Sequence, residues 1–401
     1  MNENLIFDEK LDISFEAIGY YGKQREPFVF KAHIIYKQNE LVLLVITSEQ
    51  GDIAEQKLFE ALRSPIKKKD YKITKAYFGD KSIKLEKHFD IKFTICTQSA
   101  FMLMPLNQIR FTYKDEENER IYRLTSVCSP IIFSPTELLI YKNGTAGFRN
   151  STLSKQCCGI PFTLFKEDNY AYIKTDEIDK LLKIFSFYYC TRFEYDMVSS
   201  PEQDGNVSIL IKKPQYKTTS GNSLKTIGYL FSGQNSLATF GGFLSATNDC
   251  TNEIWNDKFL SDYISGFVRA EYLDDISKLT IYTTILEKMA GAGKKEDTYK
   301  CIKHYLAQNK IDIRKIDDNV SSKNIKNENG DTISNFIQLR NFFVHHLGSE
   351  KAEKFLRDSD MLFYLKLTIT ILILYRLGLT NIRFKSYFAH LSVFNECLKV
   401  G

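Results

Sequence analysis

"MLFYLKLTITILILYRLGL", residues 361–379, is where the architecture of this chain turns one way or the other. The segment is long and apolar enough to weigh as a membrane span, and it is the one such candidate in the sequence. Lys366 and Arg376 lie inside it, however, and charges within a span are expensive. The better reading is a buried helix in a helical bundle. The start, Met1 to Phe7, is polar and acidic, with no basic segment leading into an apolar core, so it does not read as a secretion signal.

Working outward from that helix, every segment after Trp255 has helical periodicity: 254–273, 274–291, 296–309, 332–347 and 349–378. Gly291 and Gly348 stand where helix C-caps are expected, and the polar run 309–331 separates the third helix from the fourth. These residues predict an all-helical bundle of four or five helices.

Upstream the texture differs. "FVFKAHIIY" (28–36), "ELVLLVITS" (40–48), "QIRFTYK" (108–114) and "VSILIKKP" (207–214) are short, β-branched or aromatic and bounded by turn residues, so residues 10–215 read as mainly strands. One exception is "TDEIDKLLKIFSFYYC" (175–190), a short helix with Thr175 as its cap. Residues 216–249, rich in Gly, Ser, Thr and Asn, read as an irregular, partly packed connection. The expected fold class is therefore α+β, a mainly-β N-terminal domain over 1–250 followed by an all-α helical domain over 251–401.

Composition narrows the function. Of the 401 residues 43% are hydrophobic and 26% charged, ordinary globular material. The net charge of +5 is too small for a protein that coats nucleic acid by charge alone, so any RNA contact should be local. The 30 Phe and 23 Tyr are better explained by core packing than by base stacking. Eight cysteines form no CxxC pair and read as reduced thiols of a cytosolic protein. His33, His88, His304 and His390 are scattered, without metal-ligand spacing, so no metal and no cofactor is expected. "GAGKK" (291–295) lacks the spacing of a phosphate loop and reads as a helix end; "CGIPF" and "GTAGF" read as turns.

The chemistry concentrates in "LRNFFVHHLG", residues 339–348. On a helix, Ile333, Phe336, Ile337, Phe343, Val344 and Leu347 share an apolar arc, and Arg340 falls inside it. Ser334, Gln338, Asn341 and His345 form a polar stripe alongside. A guanidinium keeps its charge and has five donors to satisfy. Either Arg340 snorkels or pairs with an acidic neighbour, with His345 and His346 a solvated pair at a helix end, or these residues form a site. Glu287 is a candidate accessory acid, although a surface glutamate paired with Lys294, or with nothing, accounts for it more simply.

"RNFFVHH" resembles the RxxxxH signature of the HEPN ribonucleases, in the subclass with Asn directly after the Arg. A helix ending in the motif, followed by a long apolar helix closing in "LYRLGL", is also similar to that family. The combination with a β-rich N-terminal half resembles the ApeA-like abortive-infection proteins. The resemblance covers about residues 260–380, and implies a HEPN helical bundle whose catalytic residues are Arg340, Asn341 and His345. His346 is a departure that leaves a second candidate; His345 is preferred because it continues the stripe from Asn341.

What the resemblance implies is a metal-independent endoribonuclease of bacterial anti-phage defence. A histidine takes the 2′-hydroxyl proton or protonates the leaving 5′-oxygen, and an arginine stabilises the charged phosphorane. The implied partners are RNA as substrate, with tRNA among the candidates, a phage-derived trigger, and a second copy of the chain in a homodimer, with no membrane. The β-rich half would sense or restrain. Five residues separate Arg340 from His345, about 140° around a helix, so either two copies share a site or the helix kinks near Asn341. The rival expectations are a non-catalytic HEPN module that binds RNA, nucleotide or a protein, and a β-domain that recognises carbohydrate or phage protein with a helical oligomerisation tail.

Overall fold

The computed structural model describes residues 9–21, 26–37, 40–47, 71–78, 80–85, 96–98, 101–106, 108–114, 119–126, 131–133, 138–140, 152–167, 170–202, 205–212, 226–230, 236–257, 259–292, 297–309, 311, 314–322, 324–327, 329–345, 354–356 and 360–379. The chain is α+β, with antiparallel sheets in its N-terminal part and helices in its C-terminal part. It divides into two compact units that exchange segments along the sequence. The first comprises 1–129, 172–176 and 195–218; the second comprises 130–171, 177–194 and 219–401.

Period-two patterning builds the first unit. Along Glu9–Tyr21 the residues Ile13, Phe15 and Ala17 turn inward, and along Glu26–Lys37 the residues Phe28, Phe30, Ala32 and Ile34 do the same. These two strands are the centre of a sheet in the order Lys81–Ser82, Tyr71–Phe78, Glu9–Tyr21, Glu26–Lys37, Glu40–Thr47, Phe101–Pro105, Cys96–Gln98. Their inner face packs on Ile109, Phe111, Val207, Ile209 and Ile211 of a second sheet, with the Phe78 and Phe111 rings 5.2 Å apart. Gly19 lies opposite Phe28 in the register, where a Cβ would come within 2.4 Å of the ring, so no larger residue fits without displacing that ring. In the second sheet the guanidinium of Arg123 donates to both oxygens of Asp196 at 2.7 and 2.9 Å, a buried bidentate pair.

The second unit is helical: α1 (Ile178–Tyr188), α2 (Phe240–Ala246), α3 (Leu260–Ala270), α4 (Asp275–Met289), α5 (Thr298–Gln308), α6 (Arg314–Ser321), α7 (Phe336–His345) and α8 (Met361–Arg376). It also carries the hairpin of Thr152–Cys157 and Ile160–Glu167. Helix α4 is the hub, packed against α3, α5, α7 and α8, while α1 packs on α3 with the Phe187 and Phe267 rings 5.3 Å apart.

Helix α8, from the segment weighed as a span, is buried nearly all round: Leu365, Leu367, Ile369, Ile371, Leu372, Ile373 and Leu374 are each at most 1% exposed. Its two charges are both paired. Lys366 Nζ donates to Glu271 Oε2 at 2.8 Å, and Arg376 pairs with Asp257. Among the described residues, no helix is long and apolar enough to cross a membrane.

Several local expectations need correction. The N-cap of α1 is Glu177, without a side-chain cap bond, rather than Thr175. The polar run 309–331 contains α6, whose Ile316 and Val320, four residues apart, are both fully buried. The connection 216–249 contains α2, started by the Thr239 side chain accepting from Gly242 N. Gly291 does end α4, at φ 66°. Gly348 and "GTAGF" lie outside the described residues.

Candidate functional site

Helix α7 begins at Phe336 rather than Ile333, because Asn335 and Gln338 cap it. Asn335 Oδ1 accepts from Gln338 N at 2.9 Å, and Gln338 Oε1 reaches back to the N–H of Ser334 at 2.9 Å. Ser334 and Gln338 of the expected polar stripe are thus capping groups. The buried face is Phe336, Ile337, Leu339 and Phe343, so the apolar arc is rotated toward Leu339. Val344, expected inward, is 44% exposed. Leu347 lies outside the described residues.

This rotation leaves Arg340 at the margin of the α4–α7 contact. Its Nη1 donates to Glu287 Oε1 at 2.6 Å, while Nε and Nη2 both donate to Asn341 Oδ1, at 3.1 and 2.9 Å. The side chains of Arg340 and Glu287 are 17% and 24% exposed, so the pair sits in a partly desolvated crevice. Glu287 is therefore neither unpaired nor an incidental surface acid; Lys294, its expected partner, lies outside the described residues. Of the readings of Arg340, pairing with an acidic neighbour is the one seen, and Glu287 and Asn341 satisfy its charge within one chain.

Three of the five guanidinium N–H donors are engaged in these bonds, which fixes the plane and direction of the group and, among the described residues, leaves two N–H groups for another acceptor. Asn341 and His345 are exposed on the adjoining face, one helical turn apart, and His345 closes the helix where an imidazolium suits the C-terminal dipole. The structure thus brings together Arg340, Asn341 and Glu287, and places His345 about 140° around α7 from Arg340. His346 lies outside the described residues.

Glu287 was legible only as an acid near a helix end; its partner becomes visible once α4 packs on α7, 53 residues away in sequence. Chemically, the arrangement is a preorganised cation held by an amide and a carboxylate, with an exposed imidazole on a different side of the same helix. Such a set can bind a phosphodiester, stabilise charge building on it, and transfer a proton. Comparison of the chain with family models, curated proteins and solved structures gives no match.

Proposed function

We propose that the helical unit is a HEPN-type endoribonuclease, cutting RNA by attack of the 2′-hydroxyl without a metal, and serving anti-phage defence by abortive infection in the cytoplasm. The observation that supports it is the fixed Arg340 guanidinium, oriented by Glu287 and Asn341 with two donors to spare and next to the exposed end of α7 that carries His345. In this reading Arg340 meets the non-bridging phosphate oxygens, where charge builds in the transition state. His345, with His346 as the second candidate, handles the proton of the 2′-hydroxyl or of the 5′-oxygen. The products are a 2′,3′-cyclic phosphate and a 5′-hydroxyl.

Because Arg340 and His345 leave α7 in different directions, two copies meeting along this helix supply one site between them, Arg340 from one and His345 from the other. Exposed Val344 beside the stripe suits such a contact. The first unit acts as sensor or restraint toward a phage-derived trigger.

A second reading draws on the same ion pair. With Glu287 already neutralising Arg340, the pair serves as a structural tie within a non-catalytic module that binds RNA, nucleotide or a protein. Incubating the full chain with labelled RNA in EDTA separates the two. Cleavage to 2′,3′-cyclic phosphate ends, abolished in His345→Ala, is expected. RNA left intact under every trigger tried selects the binding module. Cleavage recovered on mixing Arg340→Ala with His345→Ala protein tests the shared site, and a monomer that cuts at low concentration overturns it.

A further inference from the structure

Three thiols meet in the helical unit, at a place the proposed RNA chemistry does not use. Cys157 ends a strand, and Cys158 with Gly159 forms the two-residue turn of the hairpin at φ 50° and 77°, both in the left-handed region. The main-chain N–H groups of Cys158 and Cys250 both donate to the Thr247 carbonyl, at 3.1 and 3.2 Å, so the turn and the segment after α2 lie side by side. Gly159 permits this approach, since a Cβ there would come within 2.5 Å of the Asn252 nitrogen.

The sulfurs follow the backbone. Cys158 Sγ is within hydrogen-bonding reach of both Cys157 and Cys250, and those contacts, followed by its burial, push its pKa far up. Hydrogen bonding with Cys158 lowers the pKa of the Cys250 thiol in turn, against its own burial. Cys157 and Cys158 are fully buried, whereas Cys250 is partly exposed and is the sulfur an oxidant meets first. Cys157 Sγ is engaged by the Thr247 hydroxyl at 3.2 Å, and its adjacency to Cys158 disfavours a bridge between those two.

We propose that Cys158 and Cys250 are a modifiable dithiol, which hydrogen peroxide or an organic hydroperoxide converts to a disulfide. The Cys250 thiolate attacks one peroxide oxygen and breaks the O–O bond; for hydrogen peroxide this gives a sulfenic acid and a hydroxide that takes up a proton to become water. The Cys158 sulfur then attacks the Cys250 sulfur, expelling hydroxide, which leaves as a second water with the Cys158 proton. The two sulfurs give up two electrons and the peroxide takes them.

Oxidation carries a structural consequence at α8. In the reduced chain Cys250 Sγ donates to the Leu377 carbonyl at 2.8 Å, at the C-cap of α8, beside Gly378 at φ 82°. A disulfide has no S–H, so the carbonyl loses that donor. Helix α8 packs on α4, which carries Glu287, so the dithiol is one helix removed from the Arg340 pair.

The test is peroxide titration of the reduced full chain, then alkylation and tryptic peptide mass spectrometry. The expected result is a cross-link, reversed by dithiothreitol, between the peptides 156–166 and 226–258, with fragment ions placing the alkyl group on Cys157. Cys157→Ser retains the cross-link, whereas in Cys158→Ser it is lost and dimedone captures Cys250 as the sulfenic acid. The proposal is overturned by a cross-link through Cys157, or by Cys250 passing to sulfinic acid with no cross-link at any peroxide concentration. The wild-type fragment ions decide even if a serine variant misfolds.

Discussion

Glu287 on α4 and Arg340 on α7 stand 2.6 Å apart, and this ion pair joins the motif-bearing helix to the hub of the helical unit on which it packs. Its direction matters as much as its charge, since Nη1 is committed to Glu287 and the opposite edge of the guanidinium to Asn341. Glu287→Gln keeps the shape and removes the charge. In the nuclease reading RNA cleavage falls on the order of tenfold, as expected for a mispositioned group. The double-mutant cycle with Arg340→Gln gives a coupling of about 1 kcal/mol in urea unfolding. Unchanged cleavage in Glu287→Gln would show that the carboxylate does not orient the arginine.

Asn341 is exposed, and its side-chain oxygen accepts from Nε and Nη2 of Arg340. Asn341→Ala should therefore alter stability by no more than about 0.5 kcal/mol. Cleavage should fall while thermal unfolding stays put, and Asn341→Asp, which keeps the acceptor, should retain more activity than Asn341→Ala. Equal losses in both variants would mean that the amide N–H groups matter rather than the oxygen.

The largest stability effect in the helical unit is expected at Glu271. Its two oxygens accept from Tyr282 Oη at 2.9 Å and Lys366 Nζ at 2.8 Å, and the Lys366 and Glu271 side chains are 12% and 13% exposed. Glu271→Ala leaves an ammonium inside α8 without its carboxylate, a loss of about 3 kcal/mol. Adding Lys366→Met to that variant should restore most of the loss, because the ammonium that Glu271 served is then gone. A double variant as unstable as the single one would place the cost in the Tyr282 bond instead.

A pH dependence follows from the cap of α4. The Asp274 carboxylate accepts from the Ser277 hydroxyl at 2.7 Å and the Ser277 N–H at 2.9 Å, and these bonds hold its pKa below the ordinary 3.8. A depressed folded-state value means the contribution is present above pH 3.8 and is lost as pH falls through the lower folded value. Asp274→Ala should cost about 1 kcal/mol at neutral pH. The gap between variant and wild type should shrink in urea melts below that range; a gap constant into acid would argue that the cap does not depend on ionisation.

The periodicities visible in the sequence carried most of this architecture. Alternation along 28–36 gave Phe28, Phe30, Ala32 and Ile34 their inward face, and the charges at Lys366 and Arg376 argued correctly for a buried helix, whose partners for those charges only the packing shows. What escaped has physical reasons. In α6 the Asp-Asp-Asn run masks a buried pair, Ile316 and Val320, that tertiary contact with α7 and α8 rewards. In α2 the glycines 241 and 242 weaken the helical signal that Phe240, Phe243 and Leu244 supply by burial. The Arg340–Glu287 pair and the approach of Cys158 to Cys250 are long-range, set by packing that no local pattern encodes.

The exchange of segments between the two units bears on how this chain is made. The ribosome releases 130–171 and 177–194, which belong to the helical unit, long before α3, α4 and α8. Helix α1 must wait for α3 to cover Phe187, and α4 lacks its α8 neighbour until Met361–Arg376 emerges. Nascent chains therefore cannot complete the helical unit until Met361–Arg376 has emerged, and no single proteolytic cut releases it whole. A fragment starting near Trp255 would omit α1 and so would be a depleted helical unit rather than a released one.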